Sequence, residues 1–294
     1  MASLRRRRPE NALGDFYVDE TCIDCDTCRW MAPETYDRSG EQSRVAVQPR
    51  TAPERRRALE ALVACPTASI GTMSKPARGE LEAVIASFPL PVVGDEVLHC
   101  GFHARSSFGA ASYLLRRDGG NVLVDSPRWS PRLAESIERL GGARWLFLTH
   151  RDDVADHERW RERLGCERVL HEADARSVEL RGIERLLVGE EPVALAPDLL
   201  AIPVPGHTRG SACLLWRDVL FTGDHLCWSE EAGRLHAFRD ACWFDWGVQR
   251  RSMERLARHE FTHVLPGHGR RVRLAPGSSG EALAELVAWM EQRA

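Results

Sequence analysis

No stretch of this chain reaches the roughly 20 consecutive apolar residues that a membrane-spanning helix needs, so no membrane partner is expected. Neither sign of charge is in excess: 40 Lys and Arg face 43 Asp and Glu, for a net charge of −3. That near-balance removes any global pull toward nucleic acid or an anionic lipid surface. The run Arg5 to Arg8 is the local exception and reads as a solvated, disordered start rather than a basic arm. Pro9, Glu10 and Asn11 follow it where an export signal would place an apolar core. Reduced thiols and a cytoplasmic location are therefore expected. Internal repeats and low-complexity tracts are missing too, which excludes repeat architectures and linker-type chains.

What remains is a chain with enough apolar content, 43%, to bury cores, and a length suited to a small domain plus a medium one. Nine cysteines stand in it. Cys100, Cys166, Cys213, Cys227 and Cys242 share no spacing and read as small buried apolar side chains. Cys22, Cys25 and Cys28 are evenly spaced, and Cys65 directly precedes Pro66.

Residues 15 to 72 read as one unit. It has a strand at Phe16-Tyr17-Val18, a short helix over 26 to 32, a strand at Val45-Ala46-Val47, and a helix from Pro53 to Ala64 opened by Thr51. Residues 74–94 are rich in Pro and Gly and read as a linker with a short helix over 81 to 86. Beyond it, strands are expected at 112–115, 122–124, 145–148, 169–170, 187–193, 199–204, 211–216, 219–221 and 263–265. Helices are expected at 131–140, 155–164, 247–259 and 279–292.

Three thiolates at Cys-x-x-Cys-x-x-Cys spacing can wrap one face of an iron–sulfur cubane, and a distant Cys-Pro commonly presents the fourth. A four-cysteine zinc site is the alternative, but such sites usually pair two Cys-x-x-Cys knuckles, whereas here three cysteines answer one. The stretch Phe16 to Asp19, Thr21 to Cys28 and Ala64 to Ile70 resembles single-cluster bacterial ferredoxins. The resemblance implies one 4Fe–4S cluster on Cys22, Cys25, Cys28 and Cys65, or three irons if Cys25 is not a ligand.

Five later segments share another design: an apolar run ends and a metal-ligating side chain follows. They are Thr149-His150, the segment Asp152 to His157, Gly206-His207-Thr208, Gly223-Asp224 and Gly267-His268. Ligands gathered from strand ends build a rigid cavity at a sheet edge. For His99, His103, His171, His225, His236, His259 and His263 an ordinary packing or surface role is expected. Ser106 to Gly109, together with Trp228, Trp243, Phe244 and Trp246, are candidates to line that cavity.

These motifs resemble the metallo-β-lactamase superfamily over about residues 95 to 275. The resemblance implies an α+β two-domain chain: a ferredoxin-like domain at 10–73, then a four-layer αββα sandwich at 95–294 carrying two metal ions, iron or zinc. Carried over, His207 binds the first metal, Asp224 bridges and His268 binds the second, with His150, Asp156 and His157 completing the set. The family's Thr-His-x-His-x-Asp-His motif is altered here, with Asp152 or Asp153 where the second histidine is expected. A carboxylate beside two imidazoles suits non-haem iron.

The expected function is redox chemistry at a dinuclear iron site fed by the cluster. The alternative is hydrolysis of an ester, thioester, lactone or phosphoester, with Asp156 or Asp224 handling the proton. A degenerate, non-catalytic electron carrier is a third reading. The expected partners are a small-molecule substrate and a redox protein.

Overall fold

The structure is a computed structural model that describes residues 2–77, 79–176 and 180–293. Chain contacts divide it into two units. The first runs through Arg116 and adds Pro127–Gly142 and Ala155–Leu164. The second comprises Arg117–Ser126, Ala143–Val154 and the described residues from Gly165 onward.

In the first unit the strand Phe16–Val18 pairs antiparallel with Ile70–Thr72, so the two ends of the cysteine-bearing segment are tied together. The helix Ala52–Ala64 starts as its sequence requires. Thr51 accepts from the Glu54 N–H, the Glu54 carboxylate accepts from the Thr51 N–H, and proline occupies the first turn. Ala58, Leu59 and Ala61 on one face are fully buried. Arg55 anchors the same helix to Glu80 at 2.6 Å and to Asp15 at 3.1 Å.

Three expectations need correction in this unit. The second strand lies earlier than its apolar residues suggest, as a hairpin of Tyr36–Ser39 with Gln42–Val45. Gly40, at φ +61°, makes the turn that charged and polar neighbours obscured. Arg5 to Arg8 are not a loose start: Leu4–Arg6 form a 3₁₀ turn, and buried Arg8 donates to the Ser43 and Ser39 carbonyls at 2.6 and 3.0 Å. Residues 74–94 hold a strand besides the expected short helix. These are the helix Glu80–Ser87 and the strand Leu90–Val93, which pairs antiparallel with Val97–His99, itself paired with Tyr113–Leu115. Pro91 is tolerated because Leu90–Val93 is an edge strand. Helices Pro131–Arg139 and His157–Leu164 complete the unit.

In the second unit, Val122–Val124, Trp145–Phe147, Glu167–His171 and Arg185–Leu187 pair as parallel neighbours in that order. Buried on both faces, Val122–Val124 and Trp145–Phe147 read as continuous apolar runs. A second sheet runs in the order Val193–Ala196, Leu199–Pro203, Ala212–Trp216, Val219–Gly223, His263–Pro266, Val272–Arg273. The single strand expected over 187–193 is two strands, Arg185–Leu187 and Val193–Ala196, in different sheets. Gly189, at φ +76°, breaks the run. The hairpin Cys227–Ser229 with Arg234–His236 had no expected counterpart. Helices Trp246–Leu256 and Ser279–Glu291 bury Met253, Leu256, Leu283, Leu286 and Met290 in one core with Leu220 and Val264. Each such side chain contributes about 1.5–3 kcal/mol. Among the described residues no helix is long and apolar enough to cross a membrane.

Candidate metal centres

The first centre forms where the loop Cys22–Cys28 faces Cys65. Asp24 and Asp26 take left-handed backbone, φ +58° and +67°, which aspartate tolerates better than most residues. Arg29 clamps both: it donates to Asp24 at 2.6 Å, to Ser43 Oγ at 2.8 Å, and to Asp26. Cys65 ends the helix Ala52–Ala64, where its N–H closes on the Ala61 carbonyl.

The four thiols line one cavity walled by Val18, Ile23, Pro66 and Ile70. Backbone N–H groups point at sulfur, Ser43 to Cys22 at 3.4 Å and Ser69 to Cys65 at 3.3 Å. Burial pushes the Cys25 thiol up to about 11 and Cys28 higher still, each raised further by the neighbouring cysteines. Four sulfurs crowded into one cavity, two of them with backbone donors aimed at them, suit coordination to cationic iron. The residues present therefore fit a cluster.

The second centre lies wholly in the second unit. His150 follows the strand Trp145–Phe147, His207 follows Leu199–Pro203, Asp224 follows Val219–Gly223 and His268 follows His263–Pro266. His150 and His207 are buried, with rings 4.7 Å apart and nearly perpendicular. Asp152 Oδ2 lies 3.6 Å from His207 Nε2 and 3.9 Å from His150 Nε2. Asp224 Oδ2 lies 3.8 Å from both imidazoles, and Asp153 Oδ2 lies 4.0 Å from His150 Nε2.

Two donor groups result, His150–Asp152–His207 and His150–Asp153–Asp224. Tetrahedral ligands at about 2.1 Å from one ion stand about 3.4 Å apart, and the donor atoms of each group lie within 4.8 Å of one another. His150 Nε2, His207 Nε2 and Asp153 Oδ2 are buried and make no hydrogen bond among the described residues. Converging lone pairs without donors fit a cation.

The electrostatics agree. Burial takes the His150 imidazole down to about 4, so it is neutral and ligand-ready. Burial raises Asp153 well above the carboxylate range, and neighbouring Asp224 adds to this. Burial also opposes ionisation of Asp224, but His268, His150 and His207 together hold it below the ordinary range. His268 donates Nδ1–H to Asp224 at 2.7 Å. Gly267 explains its own identity: a Cβ there would sit 2.8 Å from Asp153 Oδ2 and 2.9 Å from Asp224 Oδ1.

Two supporting carboxylates escaped the motif reading. Asp125, buried after Val122–Val124, accepts from the Thr149 N–H at 2.8 Å and from its hydroxyl, which lies 3.0 Å from His150 Nδ1. Burial first, then Asp224, raises it to about 7. Its signal was present, since Val124-Asp125 repeats the design of an apolar strand followed by a carboxylate. Asp174 accepts from the Thr208 hydroxyl at 2.6 Å, the Gly210 N–H at 2.9 Å and the Arg151 N–H at 3.1 Å. It thereby joins the loops bearing His207 and Asp152. No local pattern marks it.

Other expected site residues stand differently. Asp156 is exposed, opens the helix His157–Leu164 at φ +51°, and accepts the Trp129 N–H at 2.7 Å. The close donor groups among the described residues include neither it nor His157, whose side chain is buried in that helix's first turn. Asp153, from the longer stretch between His150 and Asp156, stands in the second donor group instead. Ser106 to Gly109 belong to the first unit, where Gly109 packs on Cys25: a Cβ would meet Cys25 Sγ at 3.0 Å. Trp246 is a core residue against Trp289, and Trp228 packs on the same core. Trp243 is 60% exposed with its ring 6.4 Å from that of His207, and Arg209 covers Phe244 at 4.5 Å.

These two centres define a class: a ferredoxin-type domain with four clustered cysteines joined to a fold that gathers imidazoles and carboxylates at strand ends. Residues 18–72 match the family described as the 4Fe-4S single cluster domain of Ferredoxin I. Among solved structures, the chain is similar to the metallo-β-lactamase FIM-1 from Pseudomonas aeruginosa in its mono-zinc form. The TM-score is 0.52 at 17% identity, over 67% of this chain and 93% of that one. It is also similar to the DIM-1 metallo-β-lactamase, with TM-score 0.53 at 17% identity, over 69% and 96% of the two chains. The chain thus contains the metallo-β-lactamase fold behind its ferredoxin-type domain. A hydroxyacylglutathione hydrolase from Anaeromyxobacter dehalogenans (strain 2CP-C) is 35% identical over 126 residues, 40% of this chain. The match spans 46% of that relative's length.

Proposed function

We propose that this protein is a redox metalloenzyme in which iron at His150, Asp152 and His207 acts on a small organic anion and the 4Fe–4S cluster serves as its electron reservoir. The observation that carries this reading is the pair of buried imidazoles with one carboxylate, 3.6 to 3.9 Å from them. Two histidines and a carboxylate with open positions suit non-haem Fe(II), and catalytic zinc also takes such a set, so the fused cluster is what tips the reading toward iron. Hydrolysis needs no electron.

When bound, iron supplies one-electron chemistry at open coordination positions. The chain's residues do the rest. Asp152, with 42% of its side chain exposed, lies on the solvent side of the site, while His150 and His207 close its buried side. Asp224, fixed by His268 Nδ1–H, holds its second oxygen toward the same space and orients a proton-bearing group there. Trp243 offers an apolar wall beside His207, and Arg209, two residues beyond His207 and stacked over Phe244, is the cation assigned to an anionic substituent. A redox protein is the proposed electron partner of the cluster.

Hydrolysis is the second reading, favoured by the hydroxyacylglutathione hydrolase match and by the second donor group of His150, Asp153 and Asp224. Metal analysis separates the two. Protein purified without oxygen should carry roughly four irons and four sulfides in the cluster plus further iron without sulfide. Cluster iron accompanied by zinc would overturn the redox reading in favour of hydrolysis.

A further inference from the structure

Two buried histidines stand behind the cluster cavity in the first unit and take no part in the second centre. His99 and His103 are each 1% exposed, and their Nε2 atoms lie 2.8 Å apart. His103 Nδ1 lies 2.6 Å from the Gly109 carbonyl and 3.1 Å from Thr27 Oγ1. Thr27 Oγ1 in turn lies 3.4 Å from Cys25 Sγ. Trp30 packs on both imidazoles, its ring 5.0 Å from His99 and 6.0 Å from His103.

A carbonyl only accepts, so His103 must carry its proton on Nδ1. Its Nε2 is then a bare lone pair in the neutral ring, and His99 donates Nε2–H across the 2.8 Å contact. One more proton makes an imidazole–imidazolium pair whose charge is shared over both rings and reaches Thr27. We propose that this pair is a redox-linked proton site: when the cluster gains one electron, the pair takes up one proton, so the unit exchanges electron and proton together. The inference rests on the reading that Cys22, Cys25, Cys28 and Cys65 hold a redox-active cluster.

The step balances. One electron passes from a one-electron donor, a reduced flavin or another ferredoxin-type protein, into the cluster. One proton passes from solvent to the imidazole pair, and the net charge of the unit is unchanged. Reoxidation releases both.

Burial disfavours imidazolium beside the oxidised cluster. The added negative charge, two hydrogen-bond lengths away, favours it by a factor on the order of tens at an effective dielectric constant of about 20. Several charged and titratable groups face the pair among the described residues. The Arg128 guanidinium donates to the His103 carbonyl at 3.3 Å, Tyr113 stands with its ring 6.2 Å from that of His99, and Cys25 is reached through Thr27. Cys100, next to His99 in sequence, is buried and pushed up to about 12, so it stays neutral. The cluster charge is the one that changes with each electron.

The test is a potentiometric titration of the anaerobically purified full chain, followed by the cluster's visible absorbance, from about pH 5 to about pH 9. The midpoint should fall by about 59 mV per pH unit across a window of one to two units, since each tenfold change in proton concentration is worth that much for one electron. His103→Gln and His99→Gln, checked for cluster content, should flatten the slope. In the wild type, the reduced-minus-oxidised infrared spectrum should contain imidazolium bands that shift on isotopic labelling of histidine. A pH-independent potential, a slope that survives both substitutions, or a difference spectrum blind to the label would each overturn the proposal. None of these measurements uses the second metal or a substrate. Their failure therefore leaves the proposed function standing, and zinc in place of iron at the second centre leaves this inference standing.

Discussion

Asp152 shows how a single position sets the chemistry of a metal site. It lies within 4 Å of both buried imidazoles, and on the proposed reading its carboxylate stands where a neutral nitrogen ligand is expected. Asp152→Ala should reduce iron at the second centre by an order of magnitude or more, while Asp152→His should shift occupancy toward zinc. Metal content per chain after equal exposure to both ions reads the outcome. His225 tests burial at the same scale. Its imidazole is taken from 6.5 to about 3, by burial first and then by His207 and Arg255. Below pH 6.5 the unfolded chain gains a proton there that the folded chain refuses, so stability is present above that pH and lost as pH falls toward 3. His225→Gln should flatten this limb, measured as the pH dependence of the urea midpoint.

At the scale of elements, the helix Ala52–Ala64 does two jobs, since its buried face packs the first unit and its end presents Cys65. Its start depends on the reciprocal bonds between Thr51 and Glu54. Thr51→Ala should cost about 1 kcal/mol and lower the thermal midpoint of the cluster-bearing unit, visible by circular dichroism. Loss of the cluster's absorbance should follow the same lower transition. The strand ends make the complementary case in the second unit. Apolar runs bury themselves in a sheet, and the first polar residue after each run is delivered to a common edge. Asp125 obeys this rule as fully as His150 does, and its neighbour Thr149 carries the contact onward. Asp174 does not obey it, because it reaches Thr208 and Arg151 from a turn.

For the whole molecule, the cluster cysteines and the second set of ligands belong to different units. Asp224→Ala removes the carboxylate that faces His150 and His207 and pairs with His268. The variant should lose the metal of the second centre and keep the cluster's visible absorption. Joint loss of both, seen by parallel iron, sulfide and absorbance measurements, would show that the centres depend on one another. The altered motif also acts at this scale. Asp156 matched the family pattern by its place before His157, yet it closes on the Trp129 N–H at the head of a helix. Asp153 enters the donor group from a stretch between His150 and the helix that is two residues longer than the pattern expects.

Local chemistry was enough to specify the cysteine spacing, the capped helix that ends at Cys65, most of the apolar strands, and the imidazoles and carboxylates at their ends. These follow from periodicity, turn residues and ligand type, which act over a few neighbours. Tertiary structure alone decided which carboxylates meet His150 and His207, that Gly109 packs on Cys25, and that His99 and His103 share one contact behind Thr27. The reason is physical: such pairings join residues distant in the chain, and burial and close packing select them only after the strands have found their partners.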